Sequence, residues 1–335
     1  MDLRTVAWSR GSIALPNIVR SDVSGFPFAL RGGVVAIGNF DGVHRGHRVV
    51  LDAALSEARS RGVPAIVLTF EPHPREVFSG ERVFRLTPPA EKARVLGLLG
   101  FDGVVEQSFD RAFAGWSADE FIDRTLIEGL GATHVAVGED FRFGAKRAGN
   151  ADMLRERPGA TVIELHHDGD DAVSSSRIRE ALIEGRPDDA ARLLDRRWRF
   201  ASTVSHGRKV GRTIGYPTAN MELPEGAELA HGIYAVRYRR PDGTLHDGVA
   251  SHGRRPTFDD GAPLFETFLF DFEGDLYGEE AYITLFARLR GEEKFDGVEA
   301  LVAQMDRDSD NARQVLAEAE PLSPIDATLN FEPST

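Results

Sequence analysis

A chain of 335 residues is long enough for two domains, each burying its own core. With 40 Lys plus Arg against 53 Asp plus Glu, its formal charge of −13 disfavours broad binding to nucleic acid or anionic membrane and leaves any anionic ligand to local basic islands. The absence of Cys removes disulfide frameworks, thiolate nucleophiles, zinc–thiolate sites and iron–sulfur clusters, and fits a reducing cytosol.

The opening MDLRTVAWSRGSIALPNIVRSD lacks the apolar core of a signal peptide, and no run approaches the ~18 apolar residues of a membrane span. A cytoplasmic protein is expected. From residue 33 short apolar runs alternate with helical spacing. Val34 to Ile37 reads as a strand, Val50, Leu51, Ala54, Leu55 and Ala58 as one face of a helix closed by Gly62, and Ala65 to Phe70 as the next strand. Glu91 to Leu99 (helix) and Gly103 to Val105 (strand) follow. Ser117 and Glu120 form a capping box before Ile122, Leu126 and Leu130. His134 to Val137 and Thr161 to Leu165 are further strands, and Ser174 to Ser176 caps a helix through Leu182. This α/β alternation predicts a parallel, doubly wound sheet over residues 1–190.

The pattern then changes. Ile233 to Tyr238, Leu264 to Phe270 and Ala281 to Phe286 are short strands between Gly, Pro, Asp and Asn clusters, as in an antiparallel barrel or sandwich forming a second domain over 191–320. A helix from about Gly297 to Met305 follows, and 321–335 reads as a flexible tail.

Two segments carry chemistry. GNFDGVHRGH, Gly38 to His47, stands where the first strand ends, the place where open parallel sheets bind ligands. It is neither a P-loop nor a GxGxxG fingerprint. Its glycines predict backbone amides close to a phosphate, and His44 and His47 lie three residues apart at a helix start, able to donate to charge on phosphate oxygens. The second segment, HGRKVGRTIGYPTAN, spaces Gly207, Gly211 and Gly215 by four and adds Arg208, Lys209 and Arg212. Thr218 and Asn220 offer the neutral oxygens Mg²⁺ accepts when phosphates and water complete its shell. HHDGDD, with His166, His167, Asp168, Asp170 and Asp171, reads as an exposed loop rather than a metal site. Phe70 and Phe141 read as core or scaffold.

GNFDGVHRGH resembles the HxGH signature of nucleotidyltransferases as it occurs in the bifunctional riboflavin kinase/FAD synthetases of bacteria. The resemblance continues through TFEPHPREVF, RLTPPAEK, VGEDFRFG and SSSRIR, then through the HGRKVGRTIGYPTAN segment, GIYAV, RRPTF, LFETFLFDF, DLYG and EEKFDG, covering about residues 33 to 312. It implies a Rossmann-like FMN adenylyltransferase domain followed by a β-barrel riboflavin kinase domain with a C-terminal helix. Riboflavin would be phosphorylated to FMN, and FMN adenylylated to FAD, with ATP as co-substrate and Mg²⁺ as cofactor.

By the same resemblance His44 and His47 stabilise the α-phosphate transition state, and Gly38, Phe40, Gly42, Gly46, Ser174, Ser175, Ser176 and Arg179 bind ATP phosphates. Ser176 stands where Thr is usual and keeps the hydroxyl. Phe70, Pro72, His73 and Asp140 would contact flavin. In the second half Glu266 would be the general base. Gly207, Gly211, Arg212, Pro217 and Thr218 would hold ATP, Thr218 and Asn220 the metal, and Asn220 and Arg290 the flavin. Two departures stand out: a usual glycine is Ala201 or absent here, and Ser251-His252-Gly253 replaces Asn-Ile-Gly. The expected partners are riboflavin, FMN, ATP and flavin-accepting apoproteins, and the charge does not prevent self-association. Two alternatives remain at this point, a monofunctional riboflavin kinase with a decayed first domain and a non-catalytic flavin-binding protein.

Overall fold

The computed structural model describes residues 19–164, 167–168, 171–206, 216–253 and 263–333. Two compact units divide between Ser175 and Ser176 rather than near residue 190.

The first unit is built on β1 (Val19–Ser21), β2 (Val34–Ile37), β3 (Ala65–Glu71), β4 (Gly103–Ser108), β5 (His134–Gly138) and β6 (Ala160–Ile163). All pair in parallel, in the order β1-β4-β3-β2-β5-β6. Strand order reverses between β2 and β5, so the crevice of this sheet opens at their carboxyl ends. Every residue of β2 is buried. Val35 and Ile37 face a core with Ile66, Leu68, Phe121, Ile122 and Leu126. Helix α1 (Arg45–Arg61) packs on β2 with Leu51 and Ala54 buried, and ends at Gly62, which takes the left-handed conformation (φ 66°) that favours glycine. Helices α2 (Pro74–Ser79) and α3 (Pro89–Leu98) follow β3. The Ser117–Glu120 capping box closes in both directions, at 3.0 and 3.1 Å, and leads into a π-helical stretch, Phe121–Gly129. His167–Asp168 and Asp171–Ala172 form a two-stranded hairpin; His166 and Asp170 lie outside the described residues.

The second unit contains β9 (Arg199–Thr203), β10 (Thr218–Glu222), β11 (Gly232–Arg239), β12 (Leu245–Gly253), β13 (Leu264–Leu269) and β14 (Glu280–Arg290), keeping the chain-order numbers after the β7–β8 hairpin at 167–172. They form an antiparallel sheet in the order β10-β13-β12-β11-β14-β9. A bridge between Ser205 and Asn220 joins its two edges, so the barrel is nearly closed. The helices Ser175–Ile183 and Pro187–Leu194 belong to this unit: Leu182 O accepts from Ala230 N–H at 3.2 Å, and a Cβ on Gly185 would meet the Arg288 stem at 2.7 Å. The helical pattern that reads as more of the first domain is thus a brace for the barrel.

The C-terminal helix is longer than its apolar spacing predicts, Val298–Glu318, and seals one barrel face through Ala312 and Leu316. The expected flexible tail is a helix, Pro324–Asn330, capped by Ser323. Leu329 is buried and Phe331 packs against the barrel core, but most of its anchors are polar, which an apolar count misses. Asp326 is 0 % exposed and pairs with Arg197, and Arg239 donates to Leu329 O at 3.0 Å and Thr328 O at 3.1 Å.

Candidate active sites

In the first unit the chain leaves β2 through a contorted loop. Phe40, Gly42 and Val43 all have positive φ (47°, 89° and 42°), and a Cβ on Gly38 would meet the Phe40 ring at 2.9 Å. The amides of Gly38 and Gly42 donate to Leu68 O at 3.1 Å and to Thr87 Oγ1 at 2.8 Å. These two glycines therefore shape the loop, and the expectation that their amides face a phosphate is corrected. Asp41, 3 % exposed, clamps the loop to the RLTPP segment, accepting from Leu86 N–H at 3.1 Å and Thr87 N–H at 2.9 Å.

His44 caps α1: its Nδ1 accepts the His47 N–H at 3.2 Å. An imidazole accepting at Nδ1 carries its proton on Nε2, which makes that nitrogen a donor. The two rings stack 3.5 Å apart at 18°. Gly46 permits this arrangement, since a Cβ there would lie 3.0 Å from Val173 O and 3.2 Å from the His44 ring. Ser175 Oγ donates to Asp41 O at 2.8 Å, bringing the Ser174–Ser175 segment against the loop. Ser176 and Arg179 lie on the helix that Ser175 begins.

Of the expected flavin contacts, Pro72 is exposed and His73 buried, with His73 Nδ1 capping α2 through the Arg75 N–H at 3.1 Å. The turn is braced by Arg85, which bonds both Glu71 (3.0 Å) and Glu76 (2.8 Å). The Arg85 bonds hold Glu76 down at about 2. Phe70 is 8 % exposed and packs edge-on with Phe109 at 5.8 Å, so it is a wall of the core. Phe141 packs partly buried against the same core. Asp140 is exposed beyond the end of β5, across the strand-order reversal from the Gly38 loop.

In the second unit, Gly207, Gly211 and Arg212, with Arg208 and Lys209, lie outside the described residues. The others fall into place through strand register. Asn220 pairs with Glu266, Glu266 with Ser251, Ser251 with Ile233, and Ile233 with Arg290. Laterally paired residues of an antiparallel sheet share a face. One row therefore carries Asn220, Glu266, Ser251 and Arg290, and Thr218 lies two residues along β10 on that same face, with Pro217 exposed before it.

The long helix holds both flanks of the row. Tyr216 Oη donates to Asp306, and Arg290 donates to Asp308 through Nε at 2.9 Å and Nη2 at 2.7 Å. Burial and the Asp306 contact push the Tyr216 phenol up. Sequence reasoning did not find Asp306 or Asp308. The oxygens of Thr218, Asn220 and Glu266 are hard donors suited to Mg²⁺, and no cluster of three metal-binding side chains exists among the described residues, so phosphates and water would supply most of its shell. Of the departures, Ala201 lies on β9 opposite Tyr282. Ser251 joins the Glu266 row, whereas His252 points to the other face, 2 % exposed beside Phe265, and burial pushes its imidazole down.

A family model described as FAD synthetase matches residues 27–177, and one described as riboflavin kinase matches residues 194–316. The chain is 41% identical over 296 residues to the bifunctional riboflavin kinase/FMN adenylyltransferase of Pseudomonas fluorescens, covering 86% of this chain and 94% of that one. Against the Haemophilus influenzae protein of the same name the identity is 39% over 290 residues (85% and 94%), and against that of Escherichia coli K12 it is 38% over 297 (87% and 95%). A solved structure from Streptococcus pneumoniae, described as a macrolide-efflux protein, matches with a TM-score of 0.80 at 30% identity, covering 90% of this chain and 100% of that one. No helix among the described residues here is long and apolar enough to cross a membrane. Neither the monofunctional kinase nor the non-catalytic flavin binder has support from these relationships. An FAD synthetase unit followed in order by a riboflavin kinase unit makes the chain a member of the bifunctional riboflavin kinase/FMN adenylyltransferase family, which phosphorylates riboflavin to FMN and adenylylates FMN to FAD.

Proposed function

We propose the following division of labour between named residues. In the kinase unit Glu266 accepts the proton of the ribityl terminal hydroxyl as its oxygen attacks the γ-phosphorus of ATP, forming FMN and releasing ADP. The observation that supports this assignment is the pairing of Glu266 with Asn220 in one cross-strand row. Thr218 and Asn220 would hold Mg²⁺, which neutralises phosphate charge when bound. Gly207, Gly211 and Arg212 are assigned to the ATP phosphates by the resemblance of their segment. Arg290, fixed by Asp308, borders the flavin end of the row.

In the adenylyltransferase unit an FMN phosphate oxygen attacks the α-phosphorus of ATP and pyrophosphate leaves. His44 donates from Nε2 to an α-phosphate oxygen, with His47 stacked behind it. Ser174 and Ser175 bind the departing phosphates, and Gly38, Gly42 and Gly46 give the loop its close turns. Pro72, His73 and Asp140 border the flavin, and Phe70 supports them from the core. Flavin-accepting apoproteins would take up the product.

The test is to incubate the purified chain with riboflavin, ATP and Mg²⁺ and resolve the flavins by chromatography. FMN should rise first and FAD follow, with FAD and pyrophosphate formed in equal amounts. FMN accumulation without FAD would overturn the adenylyltransferase assignment.

A further inference from the structure

The RLTPPAEK segment contains a residue that the site as described leaves without a role. Lys92, on α3, is 1 % exposed, and its ammonium makes no ion pair among the described residues. Its partners are neutral: Nζ donates to Asn39 O at 3.0 Å and to Thr69 Oγ1 at 2.9 Å, and Thr69 Oγ1 in turn donates to Asn39 O at 3.1 Å. Two buried donors thus converge on one carbonyl, and that carbonyl belongs to the loop carrying His44.

The Asn39–Phe40 peptide is trans, so its N–H points opposite to its C=O. With the carbonyl gripped from beneath by Lys92 and Thr69, the Phe40 N–H is turned away from them. Phe40 is itself 2 % exposed and sits at φ 47°, and its N–H meets no acceptor among the described residues. Buried amides without a partner are rare. A cation would be costly at this depth unless it served a purpose that a hydrophobic side chain could not.

We infer that Lys92 is a positioning residue for adenylyl transfer, holding the Asn39 carbonyl inward so that the Phe40 N–H stands preformed as a donor to the α-phosphate oxygen on which charge develops. Asp41, Glu71, Arg85 and Glu106 are the charged groups around the ammonium; burial pushes it down, and Asp41 and Glu71 act against that. The inference rests on adenylyl transfer taking place at the Gly38–His47 loop.

The experiment compares Lys92→Met and Thr69→Val with wild type in the full chain, measuring kcat and the ATP KM for FMN-to-FAD conversion, riboflavin phosphorylation in the same preparations, and Tm. Met matches the length of the lysine stem and removes a desolvated charge, so Tm should hold or rise. Meanwhile kcat for FAD formation should fall roughly 10- to 100-fold, toward the range for losing one oxyanion donor, with the ATP KM changed less than about 3-fold. Thr69→Val, which removes one of the two grips, should lower kcat about 3- to 10-fold on the same scale. FMN formation should be unchanged in both. Wild-type kcat in either variant overturns the inference, and so does a loss that tracks a lowered Tm, which is what a purely structural lysine produces. A His44→Ala variant in parallel separates the two levels: undiminished FAD formation there would defeat the site assignment itself, whatever Lys92 does.

Discussion

Replacing Asp326 by Ala should destabilise the kinase unit without touching its chemistry. The Asp326 carboxylate, 0 % exposed, accepts from the Arg197 guanidinium, from Arg197 N–H at 2.9 Å, from Leu322 N–H at 3.1 Å and from Asn330 Nδ2 at 2.7 Å. Arg197 is in turn wedged over the Phe286 ring at 4.3 Å, and burial already pushes its guanidinium down. Alanine would leave that cation buried without a carboxylate, a loss of about 3–5 kcal/mol. For a unit of this size each kcal/mol lowers Tm by roughly 2–4 °C, so a fall of ~6–20 °C is expected. Heat-inactivation of FMN formation is the assay, with FMN-to-FAD conversion in the same sample as reference. Asp326→Asn, which keeps one acceptor, should fall between. The double variant Arg197→Met/Asp326→Leu should recover part of the loss, because neither charge is then stranded. An Asp326→Ala protein within ~1 kcal/mol of wild type would refute the clamp.

Three further outcomes follow from the first unit. Glu76 is depressed from 4.5 to about 2 by Arg85, so it stabilises the fold above pH 4.5 by up to about 3 kcal/mol, and this stabilisation is lost as the pH falls through 2. Urea denaturation of wild type and Glu76→Gln across pH 7 to 3 should show a gap that narrows only below 4.5; a constant gap would contradict the coupling. Gly46→Ala puts a methyl 3.0 Å from Val173 O and 3.2 Å from the His44 ring, and should cut FAD formation on the order of 10-fold while sparing FMN formation. Asp41→Asn keeps the size of the side chain but weakens its hold on the Leu86 and Thr87 amides, and should lower FAD formation alone, as kinetics with FMN would show.

Much of this was legible in the sequence because it is local. The burial of β2, the face of α1, its Gly62 cap and the Ser117–Glu120 box each depend on residues within a turn or two. Features that depend on distant partners were not. The strand Leu245–Gly253, with His, Asp and Gly scattered through it, becomes a strand by lying between β11 and β13. Helix Pro324–Asn330 buries Leu329 but is otherwise held by arginines donating to its carboxylate and carbonyls, an attachment that leaves little apolar pattern. Glu266 was identified through resemblance, but its neighbours Asn220 and Ser251 follow only from strand register. The place of Lys92 follows only from Asn39 and Thr69, which close around it.

The central claim is that two separate sets of residues perform two successive reactions. It is tested most directly by giving Glu266→Gln and His44→Ala proteins, in parallel, either riboflavin or FMN with ATP and Mg²⁺, and separating the flavins by chromatography. Glu266→Gln should make no FMN from riboflavin yet convert FMN to FAD at the wild-type rate, and His44→Ala should make FMN and stop there. Loss of both products in either variant, or FMN formation by Glu266→Gln at an undiminished rate, would contradict it.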